Sequence, residues 1–191
     1  MIKRRSLLKL ILLSLITCGI YSIFFWWSYV NDINDVCVCD GKKSPNFLIV
    51  MLLTVVTCGI YYLFWLYRQG ERLRDIAPEY GLTLKEGGGT VLMLNIAGSV
   101  VVSLSSSVSS AVYAFSGLGG AATVTMGSKI INPADFTDLM IKWGITQDLL
   151  YLLAFLSLVL LIVGISLSLN ALGILIKNLN AIGVVYNMKC I

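Results

Sequence analysis

Four stretches of this chain carry no charged side chain over a length that matches or exceeds a membrane crossing. Residues 10–30, 46–67, 90–128 and 149–170 are free of Asp, Glu, Lys and Arg. A crossing needs roughly 20 apolar residues at about 1.5 Å rise each to cover about 30 Å of hydrocarbon. Of the 191 residues, 58% are hydrophobic and 13% charged, where a soluble domain averages about 45–50% and about 25%. Charge confined to loops and ends is what the cost of burying an ion in hydrocarbon dictates. The expected fold class is an all-α integral membrane protein with about four transmembrane helices.

The third stretch is too long for one helix, and Gly117-Leu118-Gly119-Gly120 is its expected breaker, so that segment is set at about 90–116. Ser44-Pro45 opens the second segment, and Thr146-Gln147-Asp148 supplies an N-cap region for the fourth. Between the last two, Asn132-Pro133 followed by Asp135 predicts a short interfacial helix over 133–143. With four spans, Lys3, Arg4, Arg5, Lys9, Arg68, Arg72, Arg74, Lys85, Lys177 and Lys189 fall on one side and Lys42, Lys43, Lys129 and Lys142 on the other. The positive-inside rule then makes this a multi-pass cell-membrane protein with both termini cytoplasmic. Trp26, Trp27, Tyr29, Trp65 and Tyr67 stand where an interfacial aromatic belt belongs. Met1 to Cys18 also has the look of a lipoprotein signal, but the apolar run continues past Cys18 to Val30, longer than a signal core.

The strongest pattern is internal. Placing residue n over n+40 aligns 7–36 with 47–76 and gives ten identities, including Thr17-Cys18-Gly19-Ile20-Tyr21 over Thr57-Cys58-Gly59-Ile60-Tyr61. The chain reads as a tandem repeat. Three readings of the motif stand side by side. Gly and Thr near the middle of a span form a packing notch through which helices approach. Alternatively, the motif breaks a helix and exposes carbonyls to an ion or small substrate. Third, it is the tip of a re-entrant hairpin, since 7–17 makes a helix only about 16 Å long. Single spans put the polar tails 31–36 and 71–76 on opposite sides of the membrane; hairpins put them on the same side. Ordinary crossing length favours single spans.

Thr-Cys-Gly-Ile-Tyr, the aromatic runs Ile23-Phe24-Phe25-Trp26 and Leu63-Phe64-Trp65, and the polar tails after them resemble the bacterial membrane family called domain of unknown function 4234. The resemblance covers about residues 3–80 and, more weakly, 149–182. It implies a bacterial inner-membrane protein and nothing about activity. The stretch from Gly87 to Ser128 departs from the pattern. The organisation expected is a repeat domain over 1–80, a Gly/Ser-rich hydrophobic segment and interfacial loop over 81–148, and a last transmembrane helix with an amphipathic tail over 149–191.

Chemistry is sparse. With no histidine, Ser-His-Asp and His-metal arrangements are excluded, and no apolar segment carries a carboxylate that would mark a proton path. The glycine runs at 87–89 and 117–120 lack the Lys-Ser/Thr of a phosphate loop and read as hinges. Cys37-Val38-Cys39 supplies two thiols where structural zinc takes four ligands. In the third segment Ser99, Ser103, Ser106, Ser110 and Ala114 recur at spacings of three and four, which lines one helix face with small residues. The function expected is a non-enzymatic structural or interaction component that packs with itself or other membrane proteins in the bilayer. It has no cofactor, no metal, no nucleic-acid partner and no recognised small-molecule substrate. The alternative is an oligomeric channel or transporter component that uses the serine face and the Thr-Cys-Gly breaks.

Overall fold

The computed structural model describes residues 2–115, 125–126, 129–130, 144 and 146–189. Helices dominate it: α1 (Leu7–Ile16), α2 (Ile20–Val36), α3 (Phe47–Val56), α4 (Ile60–Ile76), α5 (Gly88–Phe115) and α6 (Gln147–Lys189). A two-residue antiparallel ladder pairs Thr125–Met126 with Lys129–Ile130. The expected interfacial helix over 133–143, the breaker at 117–120 and Cys190 lie outside the described residues.

Neither of the first two apolar runs is a single helix. Each breaks at its Thr-Cys-Gly, and the same backbone appears twice: φ is +49° at both Cys18 and Cys58, +90° at Gly19 and +92° at Gly59. Two successive residues in the left-handed region end the helix as a Schellman turn. The Gly19 N–H donates to the Ser14 carbonyl at 2.7 Å and the Cys18 N–H to that of Leu15 at 3.4 Å. The second copy repeats this with Thr54 at 2.8 Å and Val55 at 3.3 Å. The threonine joins both helix ends: its hydroxyl donates to the carbonyl four residues back (Leu13 or Leu53, 2.7 Å) and accepts the N–H four residues on (Tyr21 or Tyr61, 3.0 Å). One side chain therefore adds a second bond to a carbonyl in the last turn of one helix, which already accepts the threonine N–H, and satisfies an amide orphaned at the start of the next.

Beyond each turn the chain runs back along itself. Arg5, just ahead of α1, donates to the Phe25 carbonyl at 3.4 Å, to Ser28 Oγ at 2.8 Å and to Asp32 Oδ2 at 3.0 Å, all on α2. Ser44, ahead of α3, bonds Gln69 on α4, and the Phe47 and Trp65 rings lie 5.8 Å apart. α1/α2 and α3/α4 are thus two helical hairpins, and the hairpin reading replaces the single-span reading of these segments. Two helices among the described residues, Gly88–Tyr113 within α5 and Gln147–Lys189, are long and apolar enough to cross a membrane, rather than four.

The chain divides into two compact units, residues 1–96 with 168–191, and residues 97–167, which cut across the three-part division expected from sequence. In the first unit, three helices contribute matching buried positions: Phe25, Tyr29, Ile33 and Val36 of α2; Trp65, Gln69, Leu73 and Ile76 of α4; Ala171, Leu175, Leu179 and Ile182 of α6. Trp26 sits at the hairpin junction, edge-on to Trp65 at 5.7 Å and against Phe47 at 6.4 Å. Trp26, Tyr29 and Trp65 are therefore core residues rather than an interfacial belt; of the five expected belt aromatics only Trp27 and Tyr67 are exposed. Gly88 is no hinge but a close contact, where an added Cβ would collide with the Tyr67 carbonyl oxygen.

In the second unit α5 and the first half of α6 pack through small residues. A Cβ on Gly164 would lie 2.9 Å from the Gly98 carbonyl oxygen and 2.7 Å from Val102 Cγ2. Ser105 Oγ donates to the Ser157 carbonyl at 2.6 Å, and Ser109 Oγ lies 3.1 Å from Ser157 Oγ. Thr146 caps α6, its hydroxyl accepting the Leu149 N–H at 3.3 Å, as the sequence predicts.

Candidate functional site

The hairpins are polar at one end and apolar at the other. At the tips Leu15, Ile16, Ile20, Val55, Val56 and Ile60 are exposed, Ile16 by 77% and Val55 by 79%. Each turn's own hydrogen bonds take up its backbone N–H groups from the threonine to the tyrosine. A ten-residue helix such as α1 or α3 reaches about 15 Å, half of the roughly 30 Å hydrocarbon core. Cys18 and Cys58 are exposed at the tips as well.

At the opposite end lies a buried polar network centred on Arg72, whose side chain is 6% exposed. Its guanidinium donates to both oxygens of Asp40, to Asn34 Oδ1 at 2.9 Å, to Ser44 Oγ at 3.0 Å, to the Cys37 carbonyl at 3.4 Å and to the Lys42 carbonyl. Asn34 also grips the chain entering the second hairpin, accepting the Ser44 N–H at 2.8 Å and donating to the Ser44 carbonyl at 3.2 Å. Every donor direction of the fork is occupied, which is what makes burial of a guanidinium tolerable. Because Arg72 stands on α4 and its partners come from α2 and the link after it, the ends of the two polar tails meet on one side of the hairpin pair.

The first hairpin carries the same device with charges exchanged. Asp32 occupies the position of Arg72, forty residues earlier, and pairs with Arg5 from the segment leading into α1. Arg72 in turn pairs with Asp40 from the segment leading into α3. The Arg72 hydrogen bonds hold the Asp40 carboxyl below its ordinary value against the opposing effect of burial. Burial pushes the Cys37 thiol up to about 11, although Arg72 pulls the other way. Cys37 is fully buried and Cys39 exposed, so the Cys-Val-Cys pair is split between core and surface. Beside the network opens a cleft of about 200 Å³ lined by Lys42, Arg68 and Arg72 and by Asp40, Glu71, Asp75 and Glu79. Four carboxylates there face three cations.

The residues singled out in the sequence are distributed as follows. Thr17, Cys18, Gly19, Ile20 and Tyr21, with Thr57, Cys58, Gly59, Ile60 and Tyr61, form the two hairpin turns and the first residues after them. Ser99, Ser103, Ser106 and Ser110 lie on the exposed side of α5, and Ala114 falls in its last turn. The face of α5 that meets α6 is the adjacent one, Gly98, Val102, Ser105 and Ser109. Ser103, Ser106 and Ser110 hydroxyls bond back to carbonyls of their own helix at 2.8–3.1 Å. The polar base was not anticipated from the sequence. Its signal was available, since Gln69 and Arg72 interrupt a helix face that is apolar at every other buried turn, and Asp32 and Arg72 are opposite charges at one repeat position.

Two self-capped hairpins with apolar tips and a shared polar base belong to a helical protein that, among its described residues, has two helices long and apolar enough to cross a membrane. Residues 5–75 match the family described as Domain of unknown function (DUF4234). The match spans both hairpins and ends just short of the end of α4. No curated protein and no solved structure matches this chain.

Proposed function

We propose that this is a non-enzymatic, multi-pass structural component of a bacterial inner membrane that seats its two hairpins in a single leaflet. The observation that carries the reading is the pairing of exposed apolar tips, whose backbone is hydrogen-bonded internally, with a charged base at the other end. Irregular backbone at membrane depth is tolerated where its polar groups are satisfied without water, and Thr17 and Thr57 supply that satisfaction. In this arrangement α5 and α6 are the crossings. The N-terminus, the Cys37–Cys39 link, the 68–85 segment and the C-terminal end of α6 then share one side. Every Lys and Arg except Lys129 and Lys142 lies there, so the positive-inside rule makes it the cytoplasm, and both termini are cytoplasmic.

The test uses the native tip cysteines. Spin labels on Cys18 or Cys58 alone, in liposomes, are expected to be accessible to oxygen and shielded from a water-soluble nickel relaxant, at equal depth in the same leaflet. In intact cells an impermeant thiol reagent is expected to reach Cys39 only after lysis. Labelling of Cys39 from outside would restore four single crossings and sink the proposal.

A second reading keeps one specific support: the row Ser99, Ser103, Ser106 and Ser110 faces away from α6. Copies assembled through this face would line a polar path or a tight interface. Conductance in liposomes that disappears with Ser103→Leu plus Ser106→Leu favours the path. Loss of self-association with no conductance in either protein favours the interface.

A further inference from the structure

The segment before α1 is extended and locked onto the C-terminal part of α6 by two asparagines, each using its amide as a strand would. Asn187 accepts the Ile2 N–H and donates to the Ile2 carbonyl, both at 2.8 Å. Asn180 does the same for Arg5, at 2.8 Å and 2.7 Å. Ile2 closes down on Gly183, where an added Cβ would meet Ile2 Cγ2 at 2.9 Å. With residues 2 and 5 fixed to the helix, Lys3 and Arg4 between them are exposed, and they rim a cleft of about 310 Å³ whose wall includes Ile2 and Val184. Among the described residues neither makes an ion pair. The two clefts of this unit differ in charge: the one beside Arg72 holds four carboxylates against three cations, whereas among the described residues no carboxylate lines this one.

We propose that this cleft binds the phosphate of an anionic phospholipid, with Lys3 and Arg4 on the phosphate and Ile2 and Val184 against its glycerol and first methylenes. A rigidly presented cation pair beside an apolar wall suits an amphiphilic anion better than a free one. Each cation near a membrane surface contributes about 1 kcal/mol toward anionic lipid. The choice of a lipid rather than a soluble phosphate rests on the one-leaflet reading above, which sets this end of the molecule at headgroup level. Asn180 and Asn187 are positioning residues, since their amides are committed to backbone.

The experiment is native mass spectrometry of the full chain released from micelles doped with equal phosphatidylglycerol and phosphatidylcholine. The unaltered protein is expected to retain phosphatidylglycerol selectively. Lys3→Gln plus Arg4→Gln should reduce that selectivity by about thirtyfold, while Lys42→Gln plus Lys43→Gln, beside the carboxylate-lined cleft, leaves it intact. Unchanged selectivity in the Lys3/Arg4 variant overturns the site. Inorganic phosphate that displaces the lipid at millimolar concentration overturns the lipid as its ligand. Circular dichroism and the Cys18 depth are measured on the same variant. Water exposure of Cys18 in the unaltered protein, with selective lipid retention preserved, would sink the one-leaflet reading and leave the phosphate site standing.

Discussion

The second hairpin and the last helix bury the same register and then part company. In α4 the buried positions Trp65, Gln69, Leu73 and Ile76 correspond to Ala171, Leu175, Leu179 and Ile182 in α6. Counting back equally from each set reaches Thr57-Cys58-Gly59 in one and Val163-Gly164-Ile165 in the other. At the first the chain reverses; at the second it continues as one helix of 43 residues. The central position shows why. Cys58 adopts φ +49° and faces open space at the tip. Gly164 stays helical and lets the Gly98 carbonyl approach. Direction is thus set by three residues, while packing against the common core tolerates either outcome.

The largest effect expected comes from erasing the turn. Thr57→Ala, Cys58→Ala and Gly59→Ala together allow α3 to run into α4. Spin labels on Lys43 and Arg68 should then move from short range to roughly 35 Å apart; an unchanged short distance would mean that the base, not the motif, holds the hairpin. Next is Arg72→Ala, which strands Asn34, Ser44 and Asp40 at the base and should cost about 3–5 kcal/mol of stability in micelles. Arg5→Ala, whose hairpin keeps the Asn180 clamp, should cost less. Equal losses would show that the two bases are equivalent. Because the folded Asp40 pKa is depressed, the Arg72 contribution is present above about pH 4 and fades as pH falls through the lower folded value.

Gly164→Ala should cost about 1–3 kcal/mol by forcing Val102 and the Gly98 backbone apart, read as a lower denaturation midpoint. Removal of the turn hydroxyl by Thr57→Ala should cost about 1 kcal/mol, and Thr17→Ala the same, since the two turns share their hydrogen bonds to within 0.1 Å in the threonine contacts. The smallest effect has the opposite sign. Cys58→Gly relieves a left-handed residue that costs about 1–2 kcal/mol, less the extra unfolded-state freedom of glycine, for a net gain of a few tenths to about 1 kcal/mol. A loss there would mean that the thiol itself holds the tip.

Much of this architecture was legible in advance. The all-helical class, the limits of α5, the Thr146 cap of α6 and the special standing of the two Thr-Cys-Gly segments follow from composition, periodicity and repetition. The choice between a notch in a straight span and a hairpin tip did not, because both bury equally few charges and 22 uncharged residues cover one crossing or two half-depth arms. The sequence shows the serine stripe as a face, yet the side of α5 that packs is its neighbour, since which flank of a small-residue helix meets its partner depends on where Gly164 and Ser157 stand.

By itself the sequence determined where helices can form and where they must stop, because those are local matters of side-chain charge, hydroxyl caps and left-handed backbone. Only the tertiary structure decided that Arg5 meets Asp32, that Arg72 meets Asp40 across the start of the second hairpin, and that Trp26, Tyr29 and Trp65 are core rather than belt. Those pairings join residues 27 to 32 positions apart in the ion pairs, and a separation of that length is spanned only once the turns have reversed the chain.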